Sequence, residues 1–231
     1  FTGTLDGSKT HKWVLEGLFG ECERVTKTDD LIKEGYLSKF RIKVLLCKHA
    51  PQHFESYHDE MEYLVEHKGR NNLIKNLVND LDGNTLVLFN YVEKHGTPLY
   101  ELINNNVESS RKVFFVHGGT DVEDREEVRN LTETESNAII VASYGTFSTG
   151  INIKRLHNIV FASPSKSRIR NLQSIGRVLR KGEGKDIATL YDIADDIGGQ
   201  NYTLKHLNER VNIYNNENFK YEVIRVNLRA N

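Results

Sequence analysis

Five short, unbroken apolar runs limit what this chain can fold into: Leu86-Val87-Leu88-Phe89, Val113-Phe114-Phe115-Val116, Ala138-Ile139-Ile140-Val141-Ala142, Ile159-Val160-Phe161-Ala162 and Ile187-Ala188-Thr189-Leu190-Tyr191. A strand with one face in water alternates apolar and polar residues, whereas a run apolar at nearly every position is buried on both faces. Helical patterns occupy residues 93–104, 121–132 and 166–181 between the runs. Neighbouring parallel strands need a crossover of that length, and a helix supplies it. The chain is therefore expected to form an α/β domain with a doubly wound parallel sheet. Ligands of such sheets collect beyond the carboxyl ends of the strands. The segments after residues 90, 116, 142 and 162 become the candidate site.

Ahead of the runs, Phe40, Ile42, Val44 and Leu46 alternate with Arg41, Lys43 and Leu45, which predicts a strand with one wetter face. Residues 55–82 read as one or two helices, closed by the turn Asp82-Gly83-Asn84. Shorter helices are expected over 10–19 and after Thr28, which suits an N-cap. Behind the runs come a helix around 202–214, an Asn-rich turn at Asn215-Asn216 and a strand from Tyr221 to Leu228. The expected division is a lead-in over 1–82, a core over 83–195 and a small accessory extension over 196–231.

With 38% hydrophobic and 27% charged residues, the composition is that of a globular protein. Two cysteines, Cys22 and Cys47, give no disulfide framework and fit a reducing cytoplasm. No apolar run approaches membrane-spanning length. The chain begins Phe1-Thr2-Gly3, without Met or a leader pattern, and reads as a piece of something longer. Its net charge of −1 excludes global basicity, so a nucleic-acid surface has to be local. Between Lys154 and Lys185 nine basic residues stand against Glu183 alone. Between Asp121 and Glu135 acids dominate instead, as on a solvated helix face.

Two strand ends carry the chemistry. His117-Gly118-Gly119-Thr120 follows the run ending at Val116, and its glycines allow a backbone to approach a ligand closely, though a plain turn would use the same residues. Ser143-Tyr144-Gly145-Thr146-Phe147-Ser148-Thr149-Gly150-Ile151-Asn152 follows Ala142 and is rich in hydroxyls and glycine amides, which suit sugar-phosphate oxygens without reading base identity. Over 166–181 a helix would place Ile169, Leu172, Gly176 and Leu179 on one stripe and Arg170, Gln173, Arg177 and Arg180 on the next. Guanidinium groups so arranged match phosphate. Cations at a helix C-terminus followed by Gly182 are also an ordinary cap, and these residues alone leave both readings open.

The pattern as a whole resembles the superfamily 2 helicases. Gln173 to Arg180 is similar to their Q-x-x-G-R-x-x-R motif VI, Thr146 to Asn152 to motif V, His117-Gly118-Gly119 to motif IVa, Leu86 to Asn90 to motif IV, and Phe1 to Leu5 to the tail of motif III. In that order they resemble the second RecA-like domain, and the likeness extends to a recombination and repair helicase of bacteriophages.

The resemblance implies a P-loop NTPase helicase C-terminal domain whose Arg177 and Arg180 reach across a cleft to the γ-phosphate. It implies nucleotide contacts from Gln173, Gly150 and Asn152, and nucleic-acid contacts from His117, Gly118, Gly119, Thr146, Ser148 and Thr149. ATP and Mg²⁺ would be held mainly by a preceding RecA-like domain in cis. The partner would be DNA, branched or single-stranded, with an RNA–DNA hybrid as a further possibility, and the place of action the cytoplasm of a bacterial host. Asn152 stands where motif V usually has Asp, which makes any ribose contact there neutral. A non-catalytic nucleic-acid-binding module with a degenerate helicase fold is the alternative.

Other patterns are decoys. Gly7-Ser8-Lys9-Thr10 lacks the adjacent glycine and lysine of a phosphate loop, and Asp59-Glu60-Met61-Glu62 lacks the buried strand that precedes a DExx box. Walker A and B are thus absent from the chain, which is expected to be inactive as an ATPase alone. Cys47, His49, His53 and His58 invite a metal site, but Pro51 keeps the histidines off one helical face. A surface loop and no metal are expected there.

Overall fold

The computed structural model describes residues 40–148, 156–164, 188–198, 200–216 and 218–228. The helices expected over 10–19, after Thr28 and over 166–181, together with Phe1 to Leu5, lie outside the described residues. Seven strands form one sheet: β1 (Phe40–Lys48), β2 (Thr85–Phe89), β3 (Val113–Val116), β4 (Ile139–Ser143), β5 (Asn158–Phe161), β6 (Ala188–Asp196) and β7 (Lys220–Asn227). Their order across the sheet is β3-β4-β2-β5-β6-β1-β7, and every pairing is parallel. The helices are α1 (Tyr57–Glu66), α2 (Lys68–Asp80), α3 (Thr97–Asn104), α4 (Val122–Thr134), α5 (Tyr144–Ser148) and α6 (Tyr202–Asn216).

The continuous apolar runs of β2, β4, β5 and β6 became interior strands for the reason their pattern gives, whereas the run of β3 lies at an edge of the sheet, with three of its four residues half-buried and not buried on both faces as expected. All five residues of β2, all five of β4 and all four of β5 are buried. Alternate positions feed two separate cores. Leu86, Leu88, Ile140, Ala142, Ile159 and Leu190 meet Leu204, Leu207 and Val211 of α6 on one face. Val87, Phe89, Ile139, Val141, Val160 and Ile193 meet Ile74 and Val78 of α2 and Leu99 and Ile103 of α3 on the other. The sheet is doubly wound, as expected.

Two further strands differ from their expected form. β1 has its wetter face only at its start, where Arg41 is exposed and Lys43 half-buried; on the same face Leu45 and Cys47 are buried. Hydrogen bonding to β6 on one side and β7 on the other makes β1 an interior strand. β7 joins the same sheet as its edge, so segments before residue 83 and after residue 195 both contribute strands to it. Glu123, Asp124, Glu126 and Glu127 occupy the exposed side of α4, as a solvated helix face requires. No helix among the described residues is long and apolar enough to cross a membrane.

The turn into β2 depends on glycine. Gly83 has φ +87°, and a Cβ there would sit 2.7 Å from His157 Cγ. His157 cannot easily give way, because its Nδ1 accepts the Asn84 backbone N–H at 3.1 Å. Gly83→Ala is therefore expected to lower stability by about 1–3 kcal/mol in urea unfolding. A loss below about 0.5 kcal/mol would show that the turn relaxes freely.

Candidate functional site at the carboxyl edge of the sheet

Because all strands are parallel, all their carboxyl ends share one edge. In register, Val116 lies beside Ala142, Phe89 beside Ser143 and Leu88 beside Phe161. The His117 loop, the Ser143 loop, Asn90 and Ser163 therefore emerge from adjacent strands β3, β4, β2 and β5.

The His117 loop is a closed turn. Thr120 N–H donates to the His117 carbonyl at 3.0 Å, and His117 N–H donates to Thr120 Oγ1 at 3.0 Å. His117 Nδ1 accepts Gly119 N–H at 3.1 Å, which leaves Nε2 of the neutral ring as a donor. Arg125 of α4 holds the Gly118 carbonyl at 3.0 Å. Gly118 and Gly119 are exposed, and nothing lies within 4 Å of where a Gly118 Cβ would be. The loop thus presents an open backbone and a half-buried imidazole.

Thr146 faces the other way. It is 4% exposed, and its hydroxyl lies 2.7 Å from Ser143 Oγ, which also accepts the Thr146 N–H at 3.3 Å. In this structure the hydroxyl pair is a buried cap on α5, so the expected outward phosphate contact from the Thr146 side chain is not what the geometry presents. Ser148 is the last residue of α5. Thr149, Gly150, Asn152, Gln173, Arg177 and Arg180 lie outside the described residues.

Polar groups that the sequence reading passed over support this edge from beneath. Arg70 of α2 is fully buried; its Nε lies 2.9 Å from Asp195 Oδ1, and its Nη1 donates to the Ala162 carbonyl at 2.6 Å. His49 Nε2 lies 2.8 Å from the same Asp195 oxygen. His49 and Cys47 are thus interior residues and not the surface loop expected of them, because β1 continues into the sheet and carries both inward. Burial, and then the charge of Asp195, push the Cys47 thiol well above its usual range, which leaves it inert as a thiolate. Glu60 of α1 accepts from Asn201 Nδ2 and from the Tyr202 and Thr203 N–H groups, and so caps α6. Asp192 receives Arg210 through two nitrogens, and Tyr214. The available signal was an acid inside an apolar run, since Asp192 and Asp195 interrupt Leu190 to Ile197.

The family of helicase conserved C-terminal domains matches residues 69–182. The ATP-dependent DNA helicase uvsW of Enterobacteria phage T4 is 35% identical over 249 aligned residues, which cover 98% of this chain and 49% of that protein. This chain therefore spans about half the length of that relative. The crystal structure of T4 UvsW superposes with a TM-score of 0.71 at 36% identity, over 84% of this chain and 42% of that one. The C-terminal domain of the DEAD-box protein Dbp5 gives a TM-score of 0.53 at 16% identity, over 80% and 90% of the two chains, a likeness of fold alone. The sheet is accordingly the RecA-like fold of helicase C-terminal domains.

Proposed function

This chain belongs to the superfamily 2 helicases through its helicase conserved C-terminal domain, and from that premise we propose that it is the C-terminal motor half of an ATP-dependent DNA helicase or translocase. The observation that carries the reading is the strand order β3-β4-β2-β5, which brings the His117 loop, the Ser143 loop and Ser163 side by side on one edge. The exposed backbone of Gly118 and Gly119 and the donor nitrogen of His117 suit phosphate oxygens of DNA. In this reading Thr146 acts through the loop it anchors, and Ser148 and Thr149 continue the track. ATP with Mg²⁺ supplies the hydrolytic energy, held mainly by a preceding RecA-like domain. Gln173, Gly150 and Asn152 would contact the nucleotide, and Arg177 and Arg180 would stabilise charge on the γ-phosphate. Branched DNA as the substrate, recombination and repair as the setting and the bacterial cytoplasm as the location belong to this reading through the motif resemblance set out above, while the phage relative itself is an ATP-dependent DNA helicase.

The test uses the full-length protein with no DNA, single-stranded DNA, or forks and Holliday junctions. The expected result is ATP hydrolysis raised about tenfold or more by DNA, with strongest stimulation and strand separation on branched substrates and a steep decline with salt. Hydrolysis indifferent to every DNA would overturn the motor reading. Equal action on all DNA would remove only the branch preference.

A further inference from the structure

The carboxyl end of β5 is held by a directed series of hydrogen bonds centred on one buried bond, between Ser163 and His95. Ser163 is 1% exposed; its Oγ accepts the Asn90 N–H at 3.1 Å and lies 2.7 Å from His95 Nδ1. Across the ring, His95 Nε2 lies 3.1 Å from Asn71 Oδ1. That amide is oriented, because Asn71 Nδ2 donates to the Val65 carbonyl at 2.8 Å. An amide oxygen only accepts, so Nε2 carries a proton, and in the neutral tautomer that this bond selects Nδ1 is the acceptor. The Ser163 hydroxyl must then donate to His95, and every bond from Asn90 to Val65 runs the same way.

His95 reaches this position through a local departure from α-helical winding. Gly96 N–H bonds the Tyr91 carbonyl at 2.8 Å, and Thr97 N–H bonds the Val92 carbonyl, both spanning five residues. The π-helical turn Val92–Gly96 leads straight into α3, and such turns gather at functional sites. Glycine is required within it, since a Cβ at Gly96 would lie 2.4 Å from Phe89 Cε2. The Ser163 carbonyl also receives the Tyr144 hydroxyl at 3.5 Å, from the first residue of α5. Ser163 therefore joins the ends of β2, β4 and β5.

We propose that His95 is a positioning residue of the motor, which through Ser163 locks these three strand ends into one body so that the loops leaving them move together. This inference rests on the motor reading above. Directed hydrogen bonds around a buried serine and a buried histidine select one arrangement of the junction, where an apolar contact would permit sliding.

The test is a double-mutant cycle in the full-length protein, comparing His95→Ala, Ser163→Ala and the pair for kcat and KM of ATP with saturating DNA. His95→Asn and Ile74→Val are included; the first can place an amide oxygen near Nδ1, and the second trims the apolar core on the α2 side of the sheet without removing a hydrogen-bonding group. Each single alanine variant is expected to lower kcat about 10- to 100-fold with KM little changed. The double variant should be no slower than the slower single one, and His95→Asn should recover most of the rate. Independent, multiplying losses, or an unaltered kcat in Ser163→Ala, would overturn the proposal, as would an equal loss in Ile74→Val. If His95→Ala fails to fold, Ser163→Ala, which removes a single oxygen atom, decides. A wild type without DNA-stimulated hydrolysis overturns the motor reading, and this inference with it.

Discussion

Arg180→Ala in the full-length protein is expected to reduce DNA-stimulated ATP turnover by about 10³-fold or more, while ATP affinity stays within several-fold. Ground-state nucleotide is held mainly by the preceding domain in our proposal, so losing one guanidinium costs little binding. In the transition state, negative charge spreads over the γ-phosphoryl oxygens, and a fixed cation aimed there acts on the barrier directly. A factor of 10³ corresponds to about 4 kcal/mol of lost transition-state stabilisation. Lysine at 180 is expected to restore little, because a point charge does not reproduce a planar two-nitrogen donor. Steady-state hydrolysis and equilibrium nucleotide binding on the same preparation check both halves. Turnover above about a tenth of the normal rate would remove Arg180 from the role.

Asp195→Ala is expected to destabilise the domain by about 3–5 kcal/mol, a large share of the stability of an ordinary domain. The carboxylate is completely buried and serves both Arg70 and His49. Removing it leaves the Arg70 guanidinium buried, with the Ala162 carbonyl as its remaining hydrogen-bond acceptor. A buried charge without its counterion costs far more than a surface pair is worth. Burial by itself would raise the Asp195 pKa, but the charge of Arg70 and the hydrogen bonds of His49 and Arg70 outweigh it and hold the carboxyl below its ordinary value. A depressed folded-state pKa contributes stability that is full above the unfolded value, about 4, and is lost as pH falls through the lower folded value. Urea unfolding at neutral pH measures the first effect. Below about pH 4, Asp195→Asn should lose stability less steeply than the wild type. A neutral-pH loss under about 1 kcal/mol would show the cluster to be incidental to the fold.

How much of this was legible in the sequence follows from which residues create periodic patterns. β2, β4 and β5 were readable because burial on both faces forces an apolar residue at every step. β1 was half-readable: Arg41 and Lys43 mark a wet beginning, and nothing local says that the strand later runs between two others. β7 carries Lys220, Glu222 and Arg225 because it is an edge, and an edge strand read in isolation resembles an appendage. The His117 loop was legible because glycine pairs after an apolar run are chemically distinctive. His49, Arg70, His95, Ser163 and Asp195 were not, since a buried polar group is recognisable only once its partner is known. These partners are as distant as 125 and 146 residues along the chain.

The order of strands also governs how the polypeptide can assemble as it is made. β1 is the earliest of the described strands to leave the ribosome, yet its two neighbours, β6 and β7, are the latest. Its ladder cannot form until residue 188 has emerged, and its second side stays open until residue 227. Before residue 188 emerges, the apolar segment Val44-Leu45-Leu46-Cys47 lacks both of its strand neighbours, although Ile74 and Val78, which share a core with Leu45 and Cys47, have already emerged. Parallel sheets closed by such distant partners fold slowly and expose sticky edges meanwhile. A nascent chain stalled before residue 188 would present the hydrophobic stretch that chaperones and proteases survey, and the segment from residue 188 to residue 227 acts as the latch that withdraws it.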